Sequence, residues 1–420
     1  MFSSNRKRFA EKINNGIAIL FSGDITHHPN SMKEVFRSDS NFYYLTGLDE
    51  VGYVAIVTAN NYFLFAPAPD PMMSLWERKM PSFSEIKAQS GADEVFDIKT
   101  FDEKLDEYLL GRETLYYSLG CSSDIDKILL RKLTRLRKKS SQIVPYNIWD
   151  LNDVMQELRI IKSPGEIDRI RRAAEVTAAA YKAVFSYGKS DCFEYELEAT
   201  LHHIYRTNGC DNAFPAIVGA GSNATTLHYN DNNMQIKAGD FVLVDSGAEY
   251  QHYCADVSRT WPINKKFTDS QRMIYQKLLD VQKNIIAKIK PGVVIDKWVN
   301  DIDYMLAECM VELGFLKGDI SQIVERKEHK KYYPHSFGHW LGLDVHDVGN
   351  SYYRGKSRIF ESGMVLTVEP GLYIQSDDEN VPAEFRGMGL RIEDDILVTD
   401  SGHDVLTKDI PKEIDFFENL

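Results

Sequence analysis

The order of elements in the C-terminal two thirds of the chain constrains its fold more than any other feature. From residue 163 to 399 the sequence predicts helix, helix and strands, and then the same order again. Ser163-Pro164-Gly165-Glu166 is a capping box, with Ser at the N-cap, Pro at the first helical position and Glu three residues past the cap. Ile167, Ile170, Ala174 and Ala178 follow at helical spacing, and Gly188 is a stop. Asp191 with Glu194 opens a second amphipathic helix that Gly209 ends, and the strand-like runs FVLVDSG (241–247) and YCADVSRTW (253–261) come next. In the second round, Thr268 with Gln271 caps a helix running to Pro291-Gly292, and another helix spans roughly 295–313. Strands recur at MVLTVEPG (364–371) and LRIEDDILVT (390–399). No residue-level repeat accompanies the pattern. Two helix pairs that must each bury a face, and two sets of strands able to join, predict helices on one face of a mainly antiparallel sheet.

The N-terminal part reads differently. Apolar runs at 17–21 (IAILF), 42–47 (FYYLTG), 53–58 (YVAIVT) and 62–67 (YFLFAP), separated by turn residues, predict a mixed sheet with a few helices. The texture changes near 150–165. A chain of 420 residues with 43% hydrophobic content is too long for one ordinary core. Two domains are therefore expected, a smaller α/β domain at 1–155 and an α+β domain at 156–420.

Charge and cysteine usage narrow the partners. The net charge of −13, from 49 basic and 62 acidic residues, argues against nucleic acid and against an anionic membrane surface. The basic stretch at 126–140 is read as the solvated face of an amphipathic helix. No run approaches the ~18 apolar residues of a membrane span. Arg6, Lys7 and Arg8 precede IAILF, but that run is short and ends in Ser-Gly-Asp, which fits a buried strand rather than a secretion signal. Cys121, Cys192, Cys210, Cys254 and Cys309 are widely spaced and lack a C-x-x-C pair, which indicates neither a disulfide framework nor a zinc ribbon and fits a reducing cytoplasm.

The chemistry lies in acids placed among apolar strand residues. In FVLVDSGAEYQHYCADVSRTW, Asp245 and Asp256 lie symmetrically about Tyr250/Gln251, so a hairpin with its tip there sets them opposite each other, with Cβ atoms ~5 Å apart. A longer or off-centre tip would leave both exposed. Glu369 ends MVLTVE, and Glu393 sits in LRIEDDILV on the same face as Arg391. Facing carboxylates repel unless protonated or neutralised by cations. The stretch HSFGHWLGLDVHDVG (335–349) holds three of the chain's 11 histidines, and His339, between Gly338 and Trp340, is the candidate imidazole donor beside them. Four carboxylates and two divalent cations sum to zero charge, which makes an interior site tolerable.

These residues carry a resemblance. LHYND (227–231), VDSGAEYQHYCADVSRTW, HSFGHWLGLDVHDVG, GMVLTVEPGLY and FRGMGLRIEDD closely resemble the aminopeptidase P and prolidase branch of the pita-bread metallopeptidases, over residues 155–411. FRSDSNFYYLTGLDE resembles that branch's N-terminal domain more weakly. The resemblance implies a pita-bread fold, pseudo-duplicated helices on a curved sheet, for 156–420. For 1–155 it implies a domain that walls the substrate site and takes part in oligomerisation. It implies that Asp245, Asp256, His339, Glu369 and Glu393 bind two metals, manganese by family habit, with Asp256 and Glu393 bridging. A hydroxide bridging the metals would be the nucleophile, and Glu369 would double as general base. His228 and His346 would hydrogen-bond the substrate and its tetrahedral intermediate, His335 would line the pocket for the second residue, and Tyr373 and Arg391 would support the ligands.

The implied reaction releases the first residue from peptides with proline second. The short distance from PGLY to FRGMGLRIEDD is similar to the bacterial aminopeptidase, whereas many prolidases carry a longer insertion there. A prolidase acting on Xaa-Pro dipeptides is the first alternative, and a metal-retaining scaffold without activity the second. Asn41 stands where bacterial aminopeptidases P have an acid near the substrate's amino group, with Asp39 two residues away. Trp76, in SLWERK, resembles a tryptophan that reaches a neighbouring subunit's site, so a homodimer or homotetramer is implied.

Overall fold

The computed structural model describes residues 1–24, 36–70, 72, 76, 79–353 and 355–420. The chain forms two compact units, Met1–Leu158 and Arg159–Leu420.

The first unit is built on a six-stranded mixed sheet, in the order Glu94–Asp97, Tyr62–Ala66, Val54–Thr58, Ile17–Phe21, Thr114–Tyr116, Asn147–Trp149. The central pairings are antiparallel and the outer ones parallel. One predicted run differs: FYYLTG lies in a helix, Ser40–Thr46, and not in a strand. All seven helical residues are buried, so the run shows no polar face from which a period could be read. Its ends decide the matter, since the Asp39 carboxylate accepts the Phe42 N–H at 2.9 Å and Gly47 closes the helix in the left-handed conformation. Asp39 is thereby engaged as a cap. Asn41 is buried, and its amide donates to Asn152 Oδ1 at 2.8 Å. The basic helix, Ser123–Lys139, places Lys132 between Asp102 and Asp106 and sets Arg131 against Asp102 and Arg135 against Asp106. Of the SLWERK segment only Trp76 and Lys79 lie within the described residues; Trp76 is 83% exposed.

In the second unit the helices Pro164–Tyr187, Glu194–Thr207, Asp269–Ala287 and Ile295–Glu312 appear in the predicted order. Both capping boxes form: Glu166 accepts the Ser163 N–H at 2.9 Å, and Gln271 accepts the Thr268 N–H at 3.0 Å. The second helix starts later than its sequence suggested. Phe193 is its N-cap, Glu196 takes the Phe193 N–H at 2.8 Å, and Asp191 sits outside at a φ of 71°. The Glu194 side chain is fully buried.

The strands form antiparallel ladders, one set from each round. Phe241–Ser246 lies between Ile217–Ala220 and Val257–Pro262; Asp394–Val398 lies between Val365–Val368 and His403–Val405. Gly371–Tyr373 pairs with Gly389–Arg391. The sets meet where Glu393 N–H donates to Ser258 O at 3.1 Å and the Thr260 hydroxyl bridges the Arg391 backbone. At this seam Arg259 and Asp394, neither with any exposed surface, form an ion pair at 2.7 Å. Burial would raise the Asp394 carboxyl, but Arg259 and Lys412 outweigh it and hold the group well below the usual carboxylate range. One continuous core, including Tyr181, Leu201, Trp261, Leu278, Trp298 and Leu306, joins helices and strands of both rounds.

Candidate active site

The hairpin holding the two aspartates is offset by one residue from its predicted register. Ser258 pairs with Asp245 and Val257 with Ser246, and the ladder continues to Tyr250 opposite Tyr253. The tip is therefore Gln251-His252, with φ of 49° and 68°, a two-residue turn whose hand suits strand twist. Asp256 consequently lies diagonal to Asp245 rather than opposite it. The two still share a face, because Asp256 and Ser258 are two residues apart on one strand. Both aspartates are buried. Gly247 faces Asp256, and a Cβ there would lie 1.7 Å from the Ala255 carbonyl oxygen.

The other ligand candidates arrive from the second strand set. Phe337–Leu341 runs beside Val365–Val368, with His339 O accepting the Thr367 N–H at 2.9 Å and Phe337 O accepting the Glu369 N–H at 3.0 Å. This register sets His339 next to Glu369. The His339 ring is oriented by its Nδ1 at 3.1 Å from the Trp340 carbonyl, which leaves Nε2 3.3 Å from Asp256 Oδ2 and 3.8 Å from Glu369 Oε1. Asp256, His339 and Glu393 each offer a ligand atom, all within 4.8 Å of one another.

A cavity of about 650 Å³ opens on these groups, lined by Asp245, Asp256, Glu369, Glu393, His228, His335, His339, His346 and Arg391. Tyr373 stands behind it. The Tyr373 hydroxyl meets His335 Nε2 at 2.9 Å and accepts from Arg391 at 2.8 Å, and Arg391 also reaches Asp245 Oδ2 at 2.5 Å. His339 and His346 approach to 4.2 Å between ring centroids. The ten residues singled out in the sequence thus form one constellation.

Other participants carried weaker signals or none. Ser258 accepts from Arg391 Nε at 2.7 Å and donates to Glu393 Oε2 at 2.8 Å, linking the buried cation to the acid. Strand alternation from Asp256 could have pointed to it. The Asp395 carboxylate accepts the Asp256 N–H at 3.2 Å. The apolar wall, Phe214, Pro215, Ile217, Leu227 and Val345, has no sequence mark of function. The irregular segment around His346 is anchored by buried charges: Asp347 is paired with Arg159 and, at 3.0 Å, with Lys162, and Arg159 also reaches Asp344 at 2.6 Å.

Electrostatics follow from burial. Asp256 and Glu393 are raised well above ordinary carboxyl values by burial and then by neighbouring acids, Asp245 for Asp256 and Asp256 for Glu393. Burial raises Glu369 to about 7. Burial, reinforced by Arg391, lowers His335 to about 3, and burial with His339 and His228 lowers His346. The donor set fits divalent cations: among the described residues Asp245 Oδ1 and Asp256 Oδ1 are buried oxygens without a hydrogen-bond partner, and carboxylates with one imidazole suit hard or borderline metals.

Without metal, the protein's stability depends on pH through these buried acids. The folded state keeps protons on carboxyls that titrate near 4 when unfolded, so this contribution is present at low pH and is lost as pH rises through the folded values. Neutral His335 acts in the opposite direction below about 6.5, which leaves the range above it as the clean window. Between pH 6.5 and 8 the metal-free protein should lose stability, on the order of 1 kcal/mol from Glu369 alone, with Asp256 and Glu393 acting in the same direction. Saturating divalent cation should abolish that loss, because cations then do what protons did. Thermal or urea unfolding with and without chelator reads the difference; a flat profile without metal would contradict the clustering.

Comparison with known proteins agrees with this geometry. Residues 168–400 match the model of metallopeptidase family M24, and residues 2–116 match the aminopeptidase P N-terminal domain. The Xaa-Pro aminopeptidase of Escherichia coli K12 is 36% identical over 429 aligned positions, covering 100% of this chain and 97% of that protein. Among solved structures, Pseudomonas aeruginosa aminopeptidase PepP superimposes with a TM-score of 0.95 at 35% identity, covering 100% of this chain and 96% of that one. Zinc-substituted E. coli aminopeptidase P in complex with product gives 0.95 at 34%, covering 100% and 97%. With the acid-lined cavity inside the matched region and relatives aligned from end to end, the chain belongs to metallopeptidase family M24, carrying an N-terminal domain of the aminopeptidase P type.

Proposed function

We propose that the chain is an Xaa-Pro aminopeptidase that hydrolyses the bond between the first residue and a proline in second position. The observation that carries the reading is the convergence of Asp245, Asp256, His339, Glu369 and Glu393 on one cavity, in a chain alike over its full length to Xaa-Pro aminopeptidases. These five residues would hold two divalent cations, manganese in our reading. When bound, the cations supply Lewis acidity to the scissile carbonyl and to the attacking water. Glu369, poised near neutrality, takes the proton from that water and returns it to the leaving nitrogen. His346, kept neutral, and His228 donate hydrogen bonds to the oxygen that gains charge. Arg391, bonded to Asp245, Tyr373 and Ser258, fixes the acids from behind. The proline nitrogen offers no N–H, so His335 and the apolar wall recognise the ring by shape.

In the same reading the enzyme works in the cytoplasm, which its five cysteines, none in a disulfide among the described residues, support, and as a homodimer or homotetramer, for which exposed Trp76 is the candidate contact. Among the described residues no helix is long and apolar enough to cross a membrane. A length series from Xaa-Pro to Xaa-Pro-Yaa-Yaa, assayed with manganese, zinc and cobalt, tests the assignment. Peptides of three or more residues should be cleaved with kcat/KM at least about tenfold above the dipeptide, a difference of ~1.4 kcal/mol. The reverse preference would identify a prolidase. No turnover with any metal would identify a binding scaffold.

A further inference from the structure

Glu194 opens the helix Glu194–Thr207, where an acid ordinarily complements its own helix N-terminus. Its side chain does something else. It has no exposed surface, and it accepts four hydrogen bonds from one short stretch of chain. Oε1 receives the Ala220 N–H at 2.8 Å and the Asn223 amide at 3.1 Å; Oε2 receives the Tyr229 hydroxyl at 2.8 Å and the Met234 N–H at 2.9 Å. No cation pairs with it among the described residues. A buried carboxylate is tolerated without a cation only when donors fill its lone pairs, and these four do.

The same stretch is also tied through buried Asn232, which accepts the Val218 N–H at 2.9 Å and donates to the Ala216 carbonyl at 2.8 Å. After the 3-10 turn Gly221–Thr225, residues 226–233 belong to neither helix nor strand. His228 sits in this part, lines the cavity, and has no hydrogen bond on its ring among the described residues. The bonds at 220, 223, 229 and 234 bracket it on both sides. Tyr229, bonded directly to Glu194, is its immediate neighbour.

We propose that Glu194 is a positioning residue for the His228 wall of the substrate cavity, acting through the Tyr229 hydroxyl and the backbone amides that bracket the loop. The proposal rests on the aminopeptidase reading above, in which His228 touches the substrate. Its test is Glu194→Gln, which keeps the volume but turns an amide NH2 toward donors. In protein of wild-type metal content, kcat/KM on an Xaa-Pro tripeptide should fall about 10–100-fold, the effect of misplacing a binding group by about an ångström. In a His228→Ala background the same change should alter kcat/KM by less than about threefold, since the residue it positions is gone. Undiminished kcat/KM in Glu194→Gln, or losses that multiply in the double variant, would overturn the proposal. Should Glu194→Gln fail to fold, Tyr229→Phe removes one donor and leaves the carboxylate; it should cost roughly 3–10-fold with the same non-additivity, and wild-type kcat/KM would be a refutation. If the wild-type enzyme cleaves no Xaa-Pro peptide, the aminopeptidase reading fails by itself. Glu194 is then judged by amide hydrogen exchange over 220–234, which should quicken at least about tenfold in the variant, unchanged exchange being contrary evidence.

Discussion

Glu369→Gln is expected to lower kcat on an Xaa-Pro tripeptide by at least ~10³-fold without loss of the fold, the range seen when a general base that also serves as a ligand is removed. The position follows Val365–Val368, and its backbone N–H is tied to Phe337 O at 3.0 Å, so glutamine inherits the same place. What changes is chemistry. A glutamine amide cannot accept a proton near neutral pH, and it is a poorer cation ligand. The metal-free variant should be at least as stable as the parent, because one of four crowded acids has lost its charge. Kinetics paired with elemental analysis checks both points. A kcat within about tenfold of the parent, in protein holding both cations, would take Glu369 out of proton transfer.

Gly247→Ala should be the most damaging single methyl in the molecule for this site. The added Cβ would lie 1.7 Å from Ala255 O and 3.2 Å from Asp256 N, both backbone atoms with no flexible end to swing aside. The hairpin would have to open between the two aspartates, at a cost of about 3 kcal/mol or more. Asp256 would move with it, so cation affinity and turnover should fall together, by at least about 100-fold in kcat/KM. Gly402→Ala is the matched control, since its Cβ meets nothing within 4 Å and its φ is ordinary. Denaturation curves and cation titrations of the two variants decide the matter; a Gly247→Ala protein that matches the control in both would mean that the hairpin can relax where its packing says it cannot.

Local chemistry written within a few residues was legible in the sequence, and relations across the chain were legible only where a period exposed them. The boxes at Ser163 and Thr268 could be read because cap and acceptor are three residues apart. The helix Ser40–Thr46 could not be told from a strand, because a fully buried run shows no polar face, and the cap that decides it is a single residue at its edge, Asp39. The acids at Asp245 and Asp256 stood out among apolar neighbours, but mirror symmetry placed the turn one residue early, and only the positive φ at Gln251 and His252 fixes the register. Glu194 shows the limit most clearly. Its sequence context is that of a helix start, and its four donors lie 26 to 40 residues away, at separations no period connects.

The buried anchorage of the His346 segment has a practical side. Arg159 and Lys162, which answer Asp347, precede the Ser163 cap, and Ile160 belongs to the same core. A recombinant fragment begun at the cap would retain every ligand candidate and still strand an aspartate in the interior beside a cavity-lining histidine. Anyone excising the peptidase portion should cut ahead of Arg159, because the first four residues of that portion serve its far end.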